Sequence, residues 1–356
     1  MVGVARGGLA RAAAAPPRVR HLALPEPRRA ASGSDWSTFD AAPGEPASVE
    51  HPSGTVVVAE AGAFEPSPSV TEWDLERGSI VRSVPLPLTA AYRDLRIVRA
   101  GNVFHLVATD GPRGRIVYAR LSRHLEVGGL ETVGDGERPR IATDGDVVAV
   151  LWSGAREGAS DGLGLQLRTF DASGAPLGGA RLTPAGDAPF LLGGPLAVAT
   201  GLTYAIVPAS AAGAGSARVV VCGADARPLA TLDVPWARDD GRLFTVGGRV
   251  YFTDGCRALD VTDAGALPVA APVDLPDRAA QARTCPAFEA ASDDAADRLV
   301  TTGGDVLDTT FHPLRRLARP EGAVLRALWL DGRAALLVAG GPGGRASLAW
   351  SAERER

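Results

Sequence analysis

Apolar and polar positions along this chain fall into one recurring pattern. A tight glycine turn leads into a short apolar strand, then a looser loop, a third strand, and a fourth that usually stops at proline. The turn and strand read Gly54-Thr-Val-Val-Val, Gly101-Asn-Val-Phe-His-Leu-Val, Gly145-Asp-Val-Val-Ala-Val-Leu and Gly201-Leu-Thr-Tyr-Ala-Ile-Val. They return as Gly248-Arg-Val-Tyr-Phe and Gly332-Arg-Ala-Ala-Leu-Leu-Val, with a degraded copy at Asp297-Arg-Leu-Val-Thr. Alternating or continuous apolar runs bounded by Gly, Pro and Asp predict strands, and helical periodicity is almost absent. The mean spacing, about 46 residues, falls within the ~40–50 of a four-stranded propeller blade. The expectation is all-β: a seven-bladed β-propeller of four-stranded antiparallel blades.

Third strands are predicted at Val70–Leu75, Arg115–Leu121, Leu163–Phe170, Arg218–Cys222, Arg257–Val261, Val306–Phe311 and Ala346–Trp350. Fourth strands close with Pro87, Pro184, Pro235, Pro276 and Pro320. An outermost strand is an edge, so a residue without an N–H is tolerated there. The pairs Ser53-Gly54, Asp144-Gly145, Gly247-Gly248 and Asp331-Gly332 suit two-residue hairpins that need positive φ. The last repeat runs out after its third strand. At the other end, residues 18–25 (Arg-Val-Arg-His-Leu-Ala-Leu-Pro) read like a fourth strand and are expected to complete the last blade. Residues 26–44 would cross to the first blade, 45–356 would form the blades, and 1–17 would be a disordered extension or processing remnant.

Composition narrows the chemistry. Hydrophobic residues make up 46% and the net charge is −4, giving no general pull towards nucleic acid or anionic membrane. All 37 basic residues are arginine, so a phosphate-loop lysine and a Schiff-base lysine are both excluded. No apolar run reaches the length of a membrane-spanning helix. Cys222, Cys256 and Cys285 match no zinc spacing. A Cys256–Cys285 disulfide and three reduced thiols both remain open.

Two stretches resemble known repeats. Ile141–Pro184, with Val-Ala-Val-Leu-Trp152 and Leu-Arg-Thr-Phe-Asp-Ala-Ser-Gly-Ala-Pro-Leu-Gly178, is similar to repeats of secreted bacterial propeller-like proteins. Gly247–Pro276, with Gly-Gly-Arg-Val-Tyr-Phe-Thr-Asp-Gly255 and Ala-Leu-Asp-Val-Thr-Asp263, resembles the LVIVD-type bacterial propeller repeat. Each covers one blade. The resemblance implies the fold and an extracytoplasmic, periplasmic or secreted, location; it transfers no functional residue.

Candidate chemistry is sparse. The five histidines stand far apart, and neither Asp144-Gly-Asp146 nor Asp293-Asp-Ala-Ala-Asp297 completes a calcium loop. No Gly-x-Ser-x-Gly elbow is present. No metal or other cofactor, and no catalytic residue, is assigned. The loops between second and third strands are longer than the glycine turns and emerge on one face with the connections between blades. Function concentrates on such loops. Trp152, Arg156, Trp236 and Arg238 are the candidates there, because exposed Trp and Arg are enriched in binding hot spots. The expectation is a monomeric, non-enzymatic scaffold presenting this face to a protein or glycan. The alternative is an extracytoplasmic hydrolase or lyase with its site in the axial funnel.

Overall fold

The computed structural model describes residues 19–23, 39–40, 47–50, 55–60, 68–74, 79–87, 92–111, 114–156, 164–183, 194–208, 217–234, 241–253, 257–263, 273–274, 288–290, 298–301, 305–316, 323–330, 333–339 and 345–351. Among these the regular elements are all strands. Two short N-terminal strands, β1 (Val19–Ala23) and β2 (Phe39–Asp40), precede the first sheet. That sheet contains β3 (Ala47–Glu50), β4 (Val56–Glu60), β5 (Ser69–Asp74) and β6 (Ser79–Pro85) in chain order.

A seven-stranded sheet follows. It runs through β7 (Tyr92–Ala100), β8 (Val103–Asp110), β9 (Arg115–Leu121), β10 (Val127–Thr143), β11 (Val147–Arg156), β12 (Gly164–Asp171) and β13 (Pro176–Arg181). Two four-stranded meanders share β10 here. Its first half pairs with β9 (Glu131 opposite Tyr118) and its second with β11 (Ile141 opposite Val150). The changeover is possible because Gly134, Gly136 and Gly154 lie where the backbones approach closely: a Cβ on Gly136 would strike the Ser153 carbonyl, and one on Gly154 the Asp135 carbonyl. Pro139, which cannot donate to a ladder, sits in the register shift between Glu137 and Arg140.

Three four-stranded sheets come next. They are β14 (Leu196–Ala199), β15 (Leu202–Pro208), β16 (Ala217–Cys222) and β17 (Pro228–Val234); β18 (Arg242–Val246), β19 (Arg249–Thr253), β20 (Arg257–Asp260) and β21 (Val273–Asp274); and β22 (Phe288–Ala290), β23 (Arg298–Thr301), β24 (Asp305–Asp308) and β25 (Pro313–Arg316). The last sheet contains β26 (Ala323–Leu330), β27 (Arg333–Ala339) and β28 (Arg345–Ser351), and β1 lies antiparallel along β28 with Val19 opposite Ser351 and Ala23 opposite Ser347. β2 pairs with the other end of β28.

The third strands fall within one or a few residues of their sequence positions, because apolar alternation and flanking turns fix both ends. Of the five closing prolines only Pro87 is described, two residues past β6; the others lie outside the described residues. The second meander has no closing proline in its sequence, and there the strand runs on.

Hydrophobic cores sit in the seams between sheets, not within them. Val57, Leu86, Ile97, Phe104 and Leu121 join the first sheet to β7–β9. Val98, Tyr118, Val148, Trp152 and Phe170 join the two halves of the seven-stranded sheet. Leu151, Leu167, Val198 and Cys222 form the next seam, Tyr204, Val219, Leu243 and Phe252 the one after, and Phe244, Leu299, Leu307 and Phe311 the one beyond. Each strand presents alternate residues to opposite seams, as the period-two pleat requires. First strands of successive meanders pack on one another: β3 on β7, β10 on β14, β14 on β18, β18 on β22 and β22 on β26.

Candidate functional site

The antiparallel meanders give the molecule two unlike ends. One carries the turns joining first to second and third to fourth strands. Among the described residues the third-to-fourth turn is built the same way four times, over residues 122–126, 171–175, 223–227 and 308–312. Its fourth residue takes positive φ: Leu125 (63°), Gly174 (85°), Ala226 (63°) and Phe311 (64°). A side-chain oxygen organises the loop. Asp171 Oδ1 accepts from Ser173 N, Ser173 Oγ and Ala175 N, and Asp308 Oδ1 accepts from Thr310 N, Thr310 Oγ1 and His312 N. Hydrogen bonds to the charged form hold both carboxyls below the usual carboxylate range, led by Ser173 for Asp171 and Thr310 for Asp308.

These turns also bind neighbouring meanders together. Arg82 pairs with the buried Glu72 (2.5 Å), which Thr55 Oγ1 also reaches, and Arg82 Nη1 donates to the His124 carbonyl (3.0 Å). Arg120 donates to the Ser173 carbonyl (3.2 Å), Asp144 Oδ2 accepts from Gly201 N (2.6 Å), and Tyr204 donates to the Thr262 carbonyl (2.8 Å). Several polar groups at this end are therefore engaged in internal contacts.

The opposite end carries the connections from second to third strands and from fourth strands to the next meander. The first sheet shows the polarity: β4 ends at Glu60 and β5 begins at Ser69, so the intervening loop lies away from the glycine turns. Arg156, predicted in such a loop, is the last residue of β11, opposite Gly134. Trp152 corrects an expectation. Its ring is fully buried in the seam with Tyr118 and Phe170, stands against Gly134, and donates from Nε1 to the Ala155 carbonyl (3.3 Å). It faces inward because apolar alternation along β11 continues to Trp152, so the ring serves packing, not the exposed face. Trp236, Arg238, Cys256 and Cys285 lie outside the described residues. Cys222 is a free thiol whose pKa burial pushes up to about 12, so it is unreactive.

One buried polar pair escaped the sequence reading. His105 on β8 is fully buried, and its Nδ1 shares a 2.6 Å hydrogen bond with the Tyr118 hydroxyl. Tyr118 stacks on Phe170, with ring centroids 4.2 Å apart. His105 Nε2 has no partner of normal hydrogen-bond geometry. Burial pushes the His105 pKa down to about 4, and the nearby Ala172 carbonyl only tempers that effect. Among the described residues no group of three or more His, Cys, Asp or Glu gathers as a metal site would require, and no helix there is long and apolar enough to cross a membrane.

Comparison with solved structures places this architecture among the β-propellers. The chain is similar to the β-propeller domain of Cps50 (Swd1) from Myceliophteria thermophila, with TM-score 0.50 and 11% identity over 88% of this chain and 98% of that one. Weaker likenesses are to hydrazine synthase of Kuenenia stuttgartiensis (TM-score 0.45, 13% identity, 75% and 84% covered) and to the subtype N10 neuraminidase-like protein of A/little yellow-shouldered bat/Guatemala (TM-score 0.40, 11% identity, 62% and 77% covered). No protein-family model matches the chain, and no curated protein matches it. The protein is thus an all-β chain of propeller type. The likeness is to the fold and does not single out the LVIVD-type repeat.

Proposed function

We propose that the chain forms a ring of seven four-stranded blades fastened by β1, and that it works as a non-enzymatic scaffold offering its loop-bearing end to a protein or glycan partner outside the cytoplasm. Counting the seven-stranded sheet as two blades that share β10 brings the six sheets to seven units. Packing of first strand on first strand from β3 to β26 supports a common axis.

The observation that carries the reading is the asymmetry of the two ends. Several carboxylates and backbone groups at the turn-bearing end, Asp144 and Asp171 among them, are engaged in contacts within and between blades. The other end carries the long connections, including residues 157–163 after Arg156 and 235–240, which contain Trp236 and Arg238. Loops carried on a rigid scaffold are where binding residues concentrate.

The test is partner capture with the full chain. Arg156→Ala, Trp236→Ala and Arg238→Ala should each weaken binding to a captured partner by about 2 kcal/mol or more at a hot spot, with melting temperature unchanged. Variants that melt lower and bind normally would place these residues in the scaffold and remove this end as the recognition surface.

A further inference from the structure

The seams described above are not built alike. Four contain aromatic rings: Phe104 in the first, Tyr118, Trp152 and Phe170 in the second, Tyr204 and Phe252 in the fourth, and Phe244 and Phe311 in the fifth. The third lies between the meander ending in β13 and that of β14–β17. Its buried apolar members are Val, Leu, Ala and Cys222. Aromatic rings bury the most surface per side chain and dominate core energetics, so this seam is held by smaller contacts.

Two buried hydroxyls add to the difference. Thr169 on β12 lies opposite Ala149, and Thr203 on β15 lies opposite both Val198 and Cys222. Directly paired residues share a face of the sheet, so both threonines point with these partners into the third seam. Both are fully buried, and neither Oγ1 has a hydrogen-bond partner. Such a hydroxyl gives up its bonds to water on folding and regains none, and it recovers them when the seam parts.

Contacts at the turns differ in the same direction. At three other seams a side chain of one meander donates to a carbonyl in the next meander's third-to-fourth turn: Arg82 to His124, Arg120 to Ser173 and Tyr204 to Thr262. The matching carbonyl at the third seam, that of Asp225, is met by backbone, since a Cβ on Gly178 would strike it. The polar contact that crosses here runs from Gly201 N to Asp144 Oδ2 (2.6 Å), between partly exposed hairpin ends.

We propose that this third seam is the line along which the molecule opens first, the meanders on either side separating locally while the other seams stay closed. Folded proteins open in units whose cost falls where buried apolar contacts are fewest. Strand β16 carries its own comparison, because Cys222 faces this seam and Val219 faces the next.

The experiment is thiol labelling of the folded full chain carrying Cys256→Ser and Cys285→Ser, so that Cys222 is the thiol read. A second chain adds Cys222→Ser and Val219→Cys, which moves the thiol across β16 to the next seam. Relative to its rate in the unfolded chain, Cys222 should label at least about tenfold faster than the thiol at 219. Its rate should change little with low denaturant, because local opening exposes little surface. Thr169→Val and Thr203→Val keep the side-chain shape without the hydroxyl, and each should slow Cys222 labelling about fivefold or more. Equal labelling at the two positions, or Cys222 labelling that ignores both threonine variants, overturns the proposal. Should Val219→Cys fold poorly, the denaturant dependence of Cys222 labelling decides alone. A slope as steep as that of global unfolding overturns the local opening, and a shallow one supports it.

Discussion

A single buried imidazole sets how this molecule should respond to acid. His105 is neutral in the folded chain because burial pushes its pKa down to about 4, whereas in the unfolded chain it returns to the ordinary imidazole value of 6.5. The unfolded state therefore takes up the proton first as pH falls. Stability should be full above about pH 6.5 and drain away down to about pH 4, where the folded state also protonates. A difference of this size corresponds to roughly 3 kcal/mol at the acid limit. Arg120 and Asp171 lie near enough to matter, the arginine deepening the depression and the aspartate opposing it. His105→Gln, which can still bond the Tyr118 hydroxyl, should lose less melting temperature than wild type between pH 7 and 4.5. Parallel melting curves across that range would show that another group carries the acid sensitivity. The sequence held no sign of this pair. His105 and Tyr118 sit on adjacent strands at ordinary alternation, and only pairing across the sheet, His105 opposite Arg120 and Val107 opposite Tyr118, brings the rings together.

At the scale of strands and turns, local chemistry was the reliable guide. Glycine-bearing hairpins at Gly101, Gly145, Gly201 and Gly247-Gly248 all adopt positive φ, as the turn geometry demanded. The third-to-fourth turns were harder to read, because Leu125, Ala226 and Phe311 adopt positive φ despite their side chains and are held there by burial. Trp152 was misread for a related reason: a Trp near a loop looks exposed until its strand is extended through it. The changeover strand β10 was hidden as well, since one strand serving two meanders has no periodicity of its own to announce it. Its glycines now predict a contrast. Gly201 has φ 76° and open space around it, so Gly201→Ala should cost about 1 kcal/mol of backbone strain. At Gly154 an added methyl would meet the Asp135 carbonyl and the Gly136 Cα, both backbone, so Gly154→Ala should cost clearly more, about 2–3 kcal/mol. Denaturant melts of the two variants decide it. Equal losses would mean that the crossing of β10 and β11 is looser than the close approach implies.

For the whole molecule the issue is whether the array holds itself together at its ends. Repeat arrays contact only their neighbours, so the terminal units are the weak points unless something joins them. Here β1 lies along β28 in register from Val19–Ser351 to Ala23–Ser347, supplying the strand that the last sheet lacks in chain order. The sequence pointed to this because residues 18–25 end in Leu-Pro like other outer strands; it could not show that β2 would pair with the remaining end of β28 at Phe39 and Asp40. Deleting residues 1–27 would strip β1 and leave the backbone donors and acceptors of β28 unpaired over Ser347–Ser351. An exposed edge of that kind is a template for association. The truncated chain should melt several degrees lower and show concentration-dependent association by size-exclusion chromatography. The two readouts separate the possible roles of β1. Lower melting without association would mean that β1 only adds packing. Association without lower melting would mean that it only covers an edge. If the truncated chain melts like the full one and shows no added association, the proposed fastening by β1 fails.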